Sequence, residues 1–70
     1  MSTYTYVDKA KKFEIDIVEL RDCVRVTLTD KGATTQLCTA KSLAAAFEYV
    51  ADMFQRGGKP APLPTEWKQI

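Results

Sequence analysis

The chain has 70 residues, is 46% apolar and 27% charged, and sets ten basic side chains against nine acidic ones for a net charge of +1. That is the composition of one globular domain rather than a disordered segment, and so even a balance argues against a basic nucleic-acid cradle or an acidic mimic of DNA. No apolar run approaches the ~20 residues of a membrane span, and the opening Met-Ser-Thr-Tyr-Thr-Tyr has neither the basic nor the apolar region of a signal peptide, so the expectation is a cytoplasmic protein with no membrane partner.

Thr3–Val7 is rich in β-branched and aromatic residues and reads as an edge strand. Asp8-Lys9-Ala10-Lys11-Lys12 is a polar connection. Phe13, Ile15 and Ile17 then alternate with Glu14 and Asp16, the pattern of a strand with one buried face. After a turn at Glu19–Asp22, Val24, Val26 and Leu28 alternate with polar residues in a further strand. Asp30-Lys31-Gly32 is a turn signal in which Gly32 supplies a positive φ, and Thr34–Thr39 is a less apolar strand. Two-residue loops would set Ile17 opposite Val24, Ile15 opposite Val26 and Phe13 opposite Leu28, then Val26 opposite Leu37 and Leu28 opposite Thr35. That register collects the apolar residues on one face. It also pairs Asp16 with Arg25 across the strands, and it turns Cys23 and Cys38 to the outer face.

The strongest periodicity follows. Leu43, Ala46, Phe47, Val50, Met53 and Phe54 mark one helical face, with Thr39 or Ser42 as N-terminal cap, Arg56 in the last turn and Gly57 as a left-handed C-terminal cap. Residues 59–70 differ in kind. Lys59-Pro60-Ala61-Pro62-Leu63-Pro64 predicts an extended, polyproline-like arm, and Thr65 could cap a short turn before Trp67. The expected architecture is therefore α+β: an antiparallel sheet of three to four strands packed on one C-terminal helix (ββββα) over residues 1–58, followed by the Pro-rich arm. The arm docks either on its own core or on a partner.

Catalysis finds little support. There is no histidine to act as a base near neutral pH, the serines have no activating neighbour, and Cys23 and Cys38 read as free thiols without metal spacing. Gly57-Gly58 closes a helix, the wrong end for anion binding. No catalytic, cofactor or metal residues are assigned. Binding remains, on two surfaces. One is the outer sheet face with its edge strand, holding Tyr4 or Tyr6, Arg25, Thr27, Thr29 and Gln36. The other is the arm, with Leu63, Trp67 and Ile70, together with the helix face around Tyr49. Tyr4, Tyr6, Arg25, Tyr49, Leu63, Trp67 and Ile70 are the residues expected to meet a protein partner. Interleaved aromatic and basic residues (Tyr4, Tyr6, Lys9, Lys11, Lys12, Arg25 and Lys31) suit single-stranded nucleic acid as the alternative.

The stretch Lys11-Lys12-Phe13-Glu14-Ile15-Asp16-Ile17 resembles the start of a PUR repeat of the Pur-alpha family. Further strands and a long amphipathic helix follow, as in that family, over residues 3–57. The resemblance implies a whirly-like fold that dimerises and binds single-stranded DNA or RNA on its sheet face. Glu14 and Asp16 stand where the family's first strands offer basic and aromatic side chains, and a single repeat would have to dimerise. The leading expectation is a non-enzymatic protein-binding regulator or inhibitor, of the size a phage or other mobile element encodes. A homodimer is expected because the domain is small and Tyr49 and Trp67 look exposed.

Overall fold

A computed structural model describes residues 2–8, 10 and 12–70. Four strands run in an antiparallel meander: β1 (Thr3–Val7), β2 (Phe13–Glu19), β3 (Val24–Asp30) and β4 (Ala33–Ala40). Helix α1 (Leu43–Arg56), a 3₁₀ turn (Pro64–Glu66) and a two-residue strand β5 (Lys68–Gln69) complete the chain. The sheet order is β4-β3-β2-β1-β5. The α+β class is as expected, with two corrections. The sheet has five strands, and α1 lies mid-chain, because the arm returns and pairs antiparallel with β1, Tyr4 opposite Gln69 and Thr5 opposite Lys68. The Ile70 N–H also donates to the Thr3 carbonyl at 2.8 Å. Strand β1 is accordingly an interior strand and not an edge.

The β2–β3 register is two residues away from the expected one. Ile17 faces Val26, Ile15 faces Leu28 and Phe13 faces Asp30. The physical reason is the turn: Leu20 N–H donates to the Cys23 carbonyl at 2.8 Å, so the reversal is made by Arg21-Asp22 rather than by the residues before them. A shift of two preserves which face each side chain occupies, so the core keeps its members. The cross-strand partners change. Asp16 faces Thr27 and Arg25 faces Val18, and the expected Asp16–Arg25 pair does not form. The one ion pair among the described residues is Arg56–Asp52, at 2.9 Å along the helix surface.

The β3–β4 hairpin turns on Lys31 (φ 54) and Gly32 (φ 81), the two left-handed positions that suit the twist of a two-residue hairpin. Leu28 faces Thr35 as expected, but a bulge between Val26 and Thr27 leaves Leu37 without an opposite residue and sets Cys38 opposite Val26. The bulge reverses the facing of the strand beyond it. Cys38 therefore packs against the core instead of pointing outward.

Ile15, Ile17, Val26 and Val50 are fully buried, joined by Tyr6, Val24, Ala46 and Phe54. Each buried aliphatic side chain contributes about 1.5–3 kcal/mol. Ala46, with no side chain beyond Cβ, lets α1 lie close on the sheet. Ser42 is the cap, its Oγ accepting from Ala45 N–H at 3.2 Å. At the other end Gly57 has φ −81, and Gly58, at φ 74, takes the left-handed role.

A candidate binding groove between the helix and the C-terminal arm

Six of the seven aromatic side chains form one chain of contacts through the molecule. Tyr4 meets Phe47 (ring centroids 5.4 Å apart), Phe47 meets Trp67 (5.1 Å), Trp67 meets Tyr6 (5.6 Å), Tyr6 meets Phe54 (5.8 Å), and Phe54 meets Phe13 (6.1 Å). Such pairs are worth about 0.5–1.5 kcal/mol each beyond the area they bury. The arm thus docks in cis. It is held by Trp67 against α1 and β1, by the β1–β5 pairing, and by a turn in which Glu66 Oε1 accepts from the Leu63 N–H at 2.9 Å. Pro64 opens that turn, as proline does where its missing N–H has no role. Leu63 precedes the turn, in the place expected for Thr65.

Docking leaves a groove. Helix α1 supplies Phe47, Glu48, Val50 and Ala51, β1 supplies Tyr4, and the arm supplies Pro62, Pro64, Trp67 and Gln69, around about 590 Å³. Its walls are aromatic and aliphatic, and Glu48 and Gln69 contribute the polar groups. A second hollow of about 380 Å³ lies on the other side of Pro62, between the arm and Tyr6, Asp8 and Phe54.

The residues singled out in the sequence do not fall in one place. Tyr4 and Trp67 line the groove. Tyr6, at 6% exposure, belongs to the core. Burial raises its phenol pKa above the ordinary value, and the carboxylates of Glu66 and Asp8 act in the same direction. Both tyrosines are on the inner face, opposite Ile17 and Ile15, and neither stands with Arg25 on the outer one. Tyr49 (39% exposed) and Leu63 (61%) are open surface apart from the groove lining, and Ile70 (83%) ends the outer edge beside Thr3. Lys12 and Lys31 share a shallow recess with Lys59, Asp8 and Asp30, a mixed-charge cluster. Lys9 and Lys11 lie outside the described residues.

The outer sheet face is polar. Thr5 Oγ1 donates to Asp16 Oδ1 at 2.7 Å across β1 and β2, and the Thr29 and Thr34 hydroxyls are hydrogen-bonded at 3.0 Å across β3 and β4. Beside that carboxylate, Glu14 is held above the ordinary carboxylate pKa, chiefly by the Asp16 charge, then by partial desolvation and a hydrogen bond with Asp16. Arg25 lies between Val18 and Thr39, its Nε buried without a hydrogen-bond partner.

Sequence reasoning missed Phe47, Ala51, Pro62, Pro64 and Gln69 as groove residues. The available signal was the Trp67 and proline content of the arm, which implied packing onto an apolar partner surface without saying which one. Among the described residues, no helix is long and apolar enough to cross a membrane. No known family model matches the chain, and neither a curated protein nor a solved structure is similar to it.

Proposed function

We propose that this chain is a small non-enzymatic binding module, a cytoplasmic regulator or inhibitor that acts by surface contact with a protein partner. The observation that carries the reading is the groove between α1 and the arm. Concave apolar sites with a few polar groups at their edge are where partners insert anchoring side chains. Three aromatic rings, two prolines and two aliphatic residues make this one apolar, while Glu48 and Gln69 give it the means to orient what enters. Even charge and an adjoining apolar surface suit a protein partner better than a phosphate backbone.

The test is affinity purification of the tagged chain from a host lysate, run beside an Ala51→Glu variant. Ala51 is half-buried on α1 and lines the groove. Glutamate keeps helix propensity and places a charge in the apolar wall. A stoichiometric protein retained by the native chain and lost from a normally folded Ala51→Glu variant is the expected result. Recovery of no stoichiometric protein, or of one that holds both forms equally, would overturn the reading.

A further inference from the structure

The two edges of the sheet are unlike. Strand β5 is two residues long and carries Lys68, a short and charged edge of the kind that resists further pairing. Strand β4 is eight residues long, reads Ala-Thr-Thr-Gln-Leu-Cys-Thr-Ala, and among the described residues has β3 as its only strand neighbour. Every second residue of such an edge turns its backbone N–H and C=O away from the sheet. Natural edges are blunted by charge, proline or a bulge. β4 has no charge and no proline. Its bulge at Leu37 still leaves Ala33–Gln36 in regular register with β3.

The inner face gives a second reason. A helix about 10–12 Å across is narrower than five strands spaced about 4.8 Å apart, and α1 lies over β2, β3 and β4. In this sheet the arm completes the cover on the β1 side, through Trp67. At the β4 margin of α1, Leu28, Leu37, Cys38 and Leu43 remain only partly buried.

We infer that β4 pairs antiparallel with β4 of a second copy of this chain, joining two five-stranded sheets into one of ten strands. The charges fit a two-fold arrangement. The strand is neutral from Ala33 to Ala40, so no charge meets its own copy near the axis. Asp30 lies at one end and Lys41 at the other, and antiparallel pairing carries the Asp30 end of each copy toward the Lys41 end of the other. A two-fold axis normal to the sheet also sets both helices on the same face. The partly bare leucines of the two margins then lie side by side under a common cover. The inference is independent of the groove, which lies on the far side of the sheet beside β1 and β5.

Sedimentation velocity of the full chain across a micromolar range, with amide hydrogen exchange at both ends of that range, tests this. The expected result is a species of twice the monomer mass, with the outward-pointing amides of Thr34 and Gln36 protected only where the dimer is populated. Thr34→Lys/Gln36→Lys alters two exposed side chains on the outer face of the edge and is expected to weaken the dimer at least tenfold while the monomer keeps its native circular dichroism. A monomer throughout the range would overturn the inference. So would a dimer that leaves the β4 amides unprotected and survives the double substitution.

Discussion

Trp67 stands nearly perpendicular to Phe47, ring centroids 5.1 Å apart and planes at 87°. This contact ties the end of the chain to the middle of α1, and with the Tyr6 contact at 5.6 Å it makes one side chain a junction of helix, sheet and arm. Trp67→Ala should cost about 2 kcal/mol, below the 3–5 kcal/mol of a fully buried Trp because the indole here is only half-buried. It should also release β5, so that the amides of Thr3 and Thr5, which face β5, exchange faster than those of β2. Urea unfolding followed by far-UV circular dichroism gives the first quantity, and an unchanged midpoint would contradict the docked arm.

The two glycines after α1 make opposite demands. At Gly58, φ is 74 and a Cβ would meet nothing within 4 Å, so the cost of a side chain is conformational and not steric. Gly58→Ala should destabilise by about 1 kcal/mol. At Gly57 φ is −81, and a Cβ would make ordinary contacts at 3.5 and 3.7 Å with the carbonyl oxygens of Phe54 and Met53. Gly57→Ala should be neutral, or stabilising by about 0.4–1 kcal/mol through the unfolded chain. Thermal melts of the two variants side by side decide the matter, and equal losses would mean that the cap is elsewhere.

The strands of the meander and the helix were legible because periods of 2 and 3.6 survive any small error of register. Ile15, Ile17, Val26, Ala46, Val50 and Phe54 are all core residues in both readings. What escaped depended on contacts remote in sequence. Thr-Tyr-Thr-Tyr-Val alternates cleanly and shows that Tyr4 and Tyr6 share a face. Nothing local says that β5 will arrive from 64 residues away to make β1 an interior strand and bring Trp67 over that face. The bulge at Leu37 was invisible for a different reason: Leu-Cys in a threonine-rich strand allows either residue to face inward. The groove inherits the first of these gaps, since it exists only where the returning arm meets the helix.

On the outer face the proximity of Glu14 to Asp16 predicts a pH signature. The pKa of Glu14 is raised in the folded state, above all by the Asp16 charge, so the folded chain holds this proton more tightly than the unfolded chain does. Linkage then requires stability from this group to be fully present below the ordinary glutamate pKa and to be lost as pH rises through the raised one. Glu14→Gln removes that loss. Melting temperatures of the native chain and the variant should be close near about pH 3.5 and diverge, with the variant the more stable, toward about pH 7. Parallel curves, or a variant less stable at neutral pH, would show that the two carboxyl groups do not interact.

The bulge can be tested through the residue it redirects. With Leu37 left without an opposite residue, Cys38 faces Val26 and lies against the core, where burial pushes its thiol pKa up. Thr39, opposite Arg25, takes the outer face. Without the bulge these two positions would exchange sides. Cys38→Lys should therefore cost about 2 kcal/mol or more, because a charged head must leave the margin of the core with no partner there, whereas Thr39→Lys should stay within about 0.5 kcal/mol of the native chain. Cys38→Val keeps a small apolar side chain and should be tolerated. The same placement makes the thiol a slow nucleophile at neutral pH, since only the thiolate reacts. Maleimide labelling of Cys38, read by mass spectrometry, should rise with pH later than labelling of a free thiol. If Cys38→Lys proved as benign as Thr39→Lys and Cys38 labelled like a free thiol, strand β4 would have to run without the bulge, and Leu37 would take the inward position opposite Val26.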